Sequence, residues 1–261
     1  METPNFDRLD KVLLLEGEPD RVPFYDLFAD REVMEAVTGR KLPVADLRTK
    51  GKLRRYLDWD VSGAEKETMK KVLEVTIEFH FKLGYDYVPL VVPSPFPRDN
   101  IVFADDTAEL SRPKRIWQDE NRGVIETRED FDRYQWPDLD QIQQIYCPLY
   151  EIVKDNLPEG MMIIPLTPGG VLENVMWLMG AVPFFTALYR DPILIKDMFE
   201  KIGVITTFWC KLGSEGEKNG AMAMGDDMGY RNGPVMSLEN FRKYVFPWQE
   251  RCVDVVHKHG K

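Results

Sequence analysis

Residues 161–170 read MMIIPLTPGG, an unbroken apolar run that ends in a threonine, a proline and two glycines. Such a run, closed by turn-forming residues, is the pattern of a strand buried on both faces, as in a parallel sheet. Three other stretches share it: residues 22–26 (VPFYD), 87–92 (YVPLVV) and 221–226 (AMAMGD). Proline interrupts three of the four, so their exact ends are loosely defined.

Helical patterns fill the intervals. Residues 6–15 open the chain, and residues 65–83 (EKETMKKVLEVTIEFHFKL) form an amphipathic helix that stops at Gly84. Residues 140–157 precede the quoted strand. Residues 172–190 and 192–213 follow it as a helical pair, the second with Asp191 as N-cap and Pro192 at its first position. The last helix spans residues 237–258, capped by Ser237 and stopped by Gly260. Residues 114–127 (KRIWQDENRGVIET) place apolar stretches around a polar turn and read as a β-hairpin inserted over one end of the sheet. The order strand, helix, strand, hairpin, helix, strand, two helices, strand, helix predicts an α/β fold with a parallel sheet and right-handed crossovers. Four central strands are half of an eight-stranded barrel. The chain therefore reads as an open four-stranded sheet or as a single incomplete barrel domain over residues 1–261, the N-terminal part of a larger one.

Composition narrows the function classes. The 261 residues carry a formal net charge of -10, with a pI of about 5.0, 44% hydrophobic and 30% charged residues. An acidic surface repels phosphate backbones and anionic lipid, so neither nucleic acid nor a membrane is expected as a partner. Cys147, Cys210 and Cys252 are far apart in sequence, which fits a reducing, cytoplasmic setting better than a disulfide framework. The N-terminus lacks the apolar segment of a signal peptide. The most apolar stretch, residues 175–189 (VMWLMGAVPFFTALY), is shorter than a membrane span of roughly 20 residues and contains Pro183; it reads as a buried helix pair or a broken helix.

In parallel α/β folds the ligand lies beyond the carboxyl ends of the strands. That rule selects Tyr25 and Asp26, residues 92–97, residues 167–170 and residues 225–230. Asp226 and Asp227 are the catalytic candidates: one of them orients a polar group of the substrate or accepts a proton, or else one caps the strand end while the other is solvated. Tyr25, Asp26, Thr167 and Tyr230 are the substrate-binding candidates. Thr167–Pro168–Gly169–Gly170 offers backbone amides to an anion or simply makes a tight turn, and lacks the lysine and spacing of a phosphate loop. No metal site is read: His257 and His259, two apart on a helix with Cys252 upstream, do not share a face and suit a basic helix end. His80 lies inside an amphipathic helix as a packing or surface residue. HExxH, GxSxG and GxGxxG do not occur.

The ordered set LDKVLLLEGEPDRVPF (9–24), YQWPDLD (134–140), GGVLENVMWLMG (169–180), RDPILIKDMFEKI (190–202), GDDMGYRNGPVMSLENFRKYVFPW (225–248) and HKHGK (257–261) resembles the uroporphyrinogen decarboxylase superfamily over nearly the whole chain. The resemblance implies a TIM-type (β/α)8 barrel longer than this sequence. It also implies one of two chemistries: decarboxylation of a porphyrinogen, a lyase reaction, or corrinoid-linked methyl transfer. Where true decarboxylases carry an arginine pair, this chain has YDLFADRE (25–32) with only Arg31. Pro93 stands where they carry a catalytic aspartate, and TPGGVLENVMW (167–177) lacks their substrate-contacting tyrosine. The GDD-G loop and IWQDENRGVIE (116–126) are more similar to the methyltransferase branch. That branch implies zinc, held by a histidine and cysteines following an HGK-like segment, which would lower a thiol's pKa and present the thiolate to a methyl group. Those ligands would lie beyond Lys261, so this chain alone would bind no cofactor. The expected partners are a small-molecule substrate or a corrinoid protein, with homo-oligomers left open. Uroporphyrinogen decarboxylation and a non-catalytic ligand-binding partial barrel are the alternatives.

Overall fold

The computed structural model describes residues 3–43, 48–49, 52–53, 63–92, 94–105 and 114–261. In chain order the elements are α1 (Asp7–Leu13), α2 (Arg31–Thr38), β1 (Arg48–Thr49), β2 (Lys52–Leu53), α3 (Ala64–Leu83), β3 (Tyr87–Val91), β4 (Ile101–Asp105) and β5 (Lys114–Gln118). They continue with α4 (Arg128–Arg133), α5 (Leu139–Asp155), β6 (Met162–Leu166), α6 (Val171–Met179), α7 (Ala181–Arg190), α8 (Pro192–Glu215), β7 (Gly229–Tyr230) and β8 (Gly233–Pro234). α9 (Leu238–Asn240) runs through a π-helical turn, Phe241–Val245, into α10 (Phe246–Lys258). Pro247 at the start of α10 has no N–H to donate back into the preceding turn, which accounts for the widened helix there.

The centre is parallel, as the apolar runs predict. β3 pairs with β6 in the register Tyr87↔Met162 to Val91↔Leu166. β6 pairs in turn with a rudimentary third strand through the bridges Ile163↔Asn219 and Leu166↔Ala223. Ile163 N–H donates to Lys218 O at 2.8 Å, Gly220 N–H to Ile163 O at 2.9 Å, and Thr167 N–H to Ala223 O at 3.0 Å. Pairing thus runs over residues 218–223, earlier than the expected 221–226, and leaves Asp226 just past the ladder.

The expected first strand is corrected. Residues 22–26 join no sheet. Pro23 offers no donor, and the Tyr87 hydroxyl replaces a neighbouring strand: it accepts from Asp26 N–H at 2.9 Å and donates to Asp26 O at 2.5 Å. Three central parallel strands are therefore present among the described residues, not four. The hairpin is also corrected. β5 pairs antiparallel with β4 upstream, from Ile101↔Gln118 to Asp105↔Lys114, not with residues 124–127 downstream. The polar DENRG segment instead leads toward α4, whose N-cap Thr127 forms a capping box with Asp130.

α3 packs on both sides. Leu73 and Ile77 enter the main core, while Val75 and Phe79 meet Met34 and Leu42 in a second cluster with α2. α8 carries Leu194, Met198, Phe199, Ile202, Ile205 and Trp209 into the main core, and Asp191 caps it by accepting Leu194 N–H at 2.9 Å. The apolar stretch around Gly180 is a broken helix: α6 and α7 meet at 98°, with Gly180 at a φ of 75° that favours glycine. No single described helix is long and apolar enough to cross a membrane. The N-terminus is stapled to the start of β3 by fully buried Asp86, whose carboxylate accepts from Asn5 N–H, Arg8 Nη1 and Arg21 Nη2, each at 2.9 Å.

Candidate active site at the carboxyl end of the strands

Each of the three parallel strands sends one ionisable side chain to the same end. Arg98 comes from the segment after β3, Glu173 from the first turn of α6 after β6, and Asp226 from the loop after the third strand.

Asp226 is the best-held of them. Its carboxylate accepts Glu173 N–H at 2.9 Å and Leu172 N–H at 3.2 Å, at the start of α6, where unpaired amides and the helix dipole favour an anion. Gln249 of α10 donates Nε2 to it at 3.1 Å and also reaches Met228 Sδ at 3.4 Å. Burial pushes the Asp226 carboxyl above its usual range, opposed by these hydrogen bonds. Glu173 closes the α6 cap by accepting Gly170 N–H at 3.2 Å. Its carboxyl is raised by burial first and by the charges of Asp226 and Asp227, against the lowering effect of the Gly170 N–H bond and, last, of Arg98. The close approach of Asp226 to the helix start requires glycine at 170: a Cβ there would lie 2.1 Å from Asp226 Cγ.

Arg98 lies over the indole of Trp177, its guanidinium carbon 4.4 Å from the ring centroid. Nη1 donates to Gln118 Oε1 at 3.3 Å. Burial lowers its pKa to about 10, which leaves it a cation at neutral pH. The segment carrying it is fixed on both sides. Tyr134 Oη donates to Pro97 O at 2.9 Å. Asn100, fully buried, donates Nδ2 to Arg122 O and to Trp177 O, both at 2.9 Å. Thr167 is buried beside this end with no described partner for its Oγ1.

The six residues expected from sequence separate. Asp226 and Thr167 come together past the ends of the third strand and β6. Asp227 is exposed and accepts Gly229 N–H at 3.2 Å, turning the loop. Tyr230 is 77% exposed in the short β7–β8 pairing. Tyr25 and Asp26 are elsewhere, at the start of β3: the Tyr25 ring stacks on Tyr87 with centroids 5.5 Å apart, and Asp26 accepts the Tyr85 hydroxyl. Buried His80 packs its ring against Tyr85 and Tyr87, and desolvation lowers its pKa. Pro93 lies outside the described residues. Arg98, Glu173, Trp177 and Gln249 were not singled out by sequence. Arg98 lies one position beyond the window that the strand-end rule selected, and Glu173 sits three residues after its cap at Gly170, a spacing that marks a helix start.

Zinc is the metal the resemblance implies, and the residues present do not fit it. Among the described residues no cluster of three or more His, Cys, Asp or Glu could hold a metal ion. Cys210 and Cys252 are hydrogen-bonded thiols buried between α8 and α10. His259 Nδ1 is spent on Val255 O at 2.8 Å.

Comparison with known proteins gives a fold and no family. No protein-family model matches the sequence, and no curated protein does. Among solved structures the chain is similar to a methyltransferase from Methanosarcina mazei, with a TM-score of 0.63 and 15% sequence identity, over 98% of this chain and 68% of that one. Identity that low establishes a shared fold only.

Proposed function

We propose that this chain is the strand–helix part of a methyltransferase-type enzyme of the superfamily it resembles, folded as part of a (β/α)8 barrel. The substrate is a small molecule seated at the carboxyl end of the strands. One observation carries this reading: three successive parallel strands deliver Arg98, Glu173 and Asp226 to one end, the end where barrel enzymes keep their chemistry. The fold shared with a protein named as a methyltransferase supports the choice of reaction.

The reaction proposed is transfer of a methyl group from a corrinoid carrier to a thiol. A sulfur–carbon bond forms as the cobalt–carbon bond breaks, cobalt keeps the electron pair, and the thiol proton leaves to a base. Glu173 is the group for that proton: it faces this end, burial raises its carboxyl above the ordinary range, and one of its oxygens is engaged, by Gly170 N–H. Asp226 holds the α6 cap that positions Glu173. Thr167 Oγ1 contacts substrate at the floor, while Asp227 and Tyr230 stand at the rim and act on a bound carrier protein. Tyr25 and Asp26, at the opposite end of β3, hold the N-terminal segment. No step here is routed through zinc, whose ligands would come from outside these residues. A cytoplasmic setting remains part of the proposal.

The test is anaerobic incubation of the chain with methylcobalamin and a small thiol, following loss of the methyl–cobalt absorbance and formation of the thioether. The proposal expects thioether formation above the protein-free rate, reduced about tenfold or more by Glu173→Gln. Conversion of enzymatically generated uroporphyrinogen to coproporphyrinogen, with no thioether, would overturn it in favour of decarboxylation.

A further inference from the structure

We propose that Arg98 is the recognition residue for an oxyanion, a carboxylate-like group on the substrate, and that Trp177 beneath it holds the guanidinium in place for that group. The inference rests on the proposed location of the substrate site and adds the chemical class of what enters it. A guanidinium carries five N–H donors in a rigid fork. For Arg98 the described protein partners are one amide oxygen, Gln118 Oε1 at 3.3 Å, and the Trp177 ring beneath it. Its charge is desolvated enough to pull its pKa down, yet none of the ion pairs among the described residues includes it. The other half-buried arginines among the described residues differ, and Arg128 is paired with Asp197. Arg8 and Arg21 are both paired with Asp86, and Arg31 with Glu35.

Burying most of a cation without a carboxylate is costly, and such a group is retained where a ligand completes it. The stack on Trp177 fixes the fork, and the clamp of Asn100 on Trp177 O fixes the stack. The acidic neighbours Glu173 and Asp226 do not reach Arg98. They set a negative wall that repels a second anionic group on the substrate. The ligand is therefore a small monoanion with an uncharged or proton-donating far end, its oxyanion on Arg98 and its reactive end toward Glu173.

The test compares methylthioacetate with its uncharged isostere methylthioacetamide as ligands of the intact chain, by saturation-transfer NMR and by titration. The expected result is about tenfold tighter binding of the acid, the value of a charged hydrogen-bond pair. That preference should be lost in Arg98→Met and partly kept in Arg98→Lys, which preserves the charge but not the planar fork. Near-ultraviolet dichroism reports whether each variant keeps its tryptophan packing. Should Arg98→Met fail to fold, the acid–amide comparison in wild type and Arg98→Lys decides. Equal affinity for acid and amide in wild type, no binding of either, or an acid preference that persists in folded Arg98→Met would each overturn the inference. Acid preference without thioether formation from methylcobalamin would leave this site standing and remove the methyl-transfer reading alone.

Discussion

Asp226 and Gly170 are in contact across the opening of the strand ends: the carboxylate accepts two amides of the α6 start in the space that any side chain at 170 would fill. The glycine thus has a reason beyond turn geometry. It lets a side chain from one strand cap the helix that follows another, tying the two βα units at the site.

Gly170→Ala should therefore expel Asp226 from the cap. Urea unfolding should show a loss of about 1–3 kcal/mol, the usual cost of overpacking a tight site. Adding Asp226→Gly should recover part of that loss, since it removes both the Cγ and the Cβ that a Cβ at 170 would meet at 2.1 and 2.2 Å. Strict additivity of the two changes would contradict the contact.

Glu173 gives a pH-dependent prediction. Its folded pKa lies above the ordinary value of 4.5, so the folded state holds the proton more tightly than the unfolded one. The contribution of its protonated form to stability is fully present below 4.5, where both states are protonated, and is lost as pH rises from 4.5 through the folded pKa, which leaves a penalty for the ionised form at neutral pH. Glu173→Gln keeps an acceptor for Gly170 N–H and removes that penalty. The variant should melt about 1–3 °C higher than wild type at neutral pH, with the two converging in acid. A lower melting temperature at neutral pH would show that the ionised form is favoured instead.

Asp86→Ala should be the most damaging of these changes. It removes the acceptor shared by Arg8, Arg21 and the Asn5 amide in a fully buried position. Loss of one partner of a buried ion pair costs about 3–5 kcal/mol. The N-terminal segment should become susceptible to limited proteolysis ahead of the rest. A loss under about 1 kcal/mol would mean that the staple contributes little to holding the N-terminus.

Much of this architecture could be read from the residues. Residues 87–92 and 161–167 announce buried parallel strands through unbroken apolar runs, and Pro192 after Asp191 announces α8. Residues 22–26 have a strand's composition, but Tyr87, from outside the segment, takes their backbone groups. Residues 114–118 are as compatible with a partner strand before them as after, and the pairing with residues 101–105 is decided by register in space. Of the residues the strand-end rule selects, Asp226 and Thr167 lie past the ends of the third strand and β6. Arg98 is not among them, because an arginine in a proline-rich loop has nothing local to mark it. Its meaning comes from Trp177, seventy-nine positions away.

Whether substrate binds at the Arg98–Glu173–Asp226 end is read from backbone amide and side-chain N–H resonances during titration with methylthioacetate. Binding there should shift Arg98 Nε, the Trp177 indole N–H, the amides of Gly169, Gly170 and Glu173, and the Gln249 side-chain amide. Shifts confined to the opposite end, around Asp26, Tyr85 and Tyr87, would contradict it.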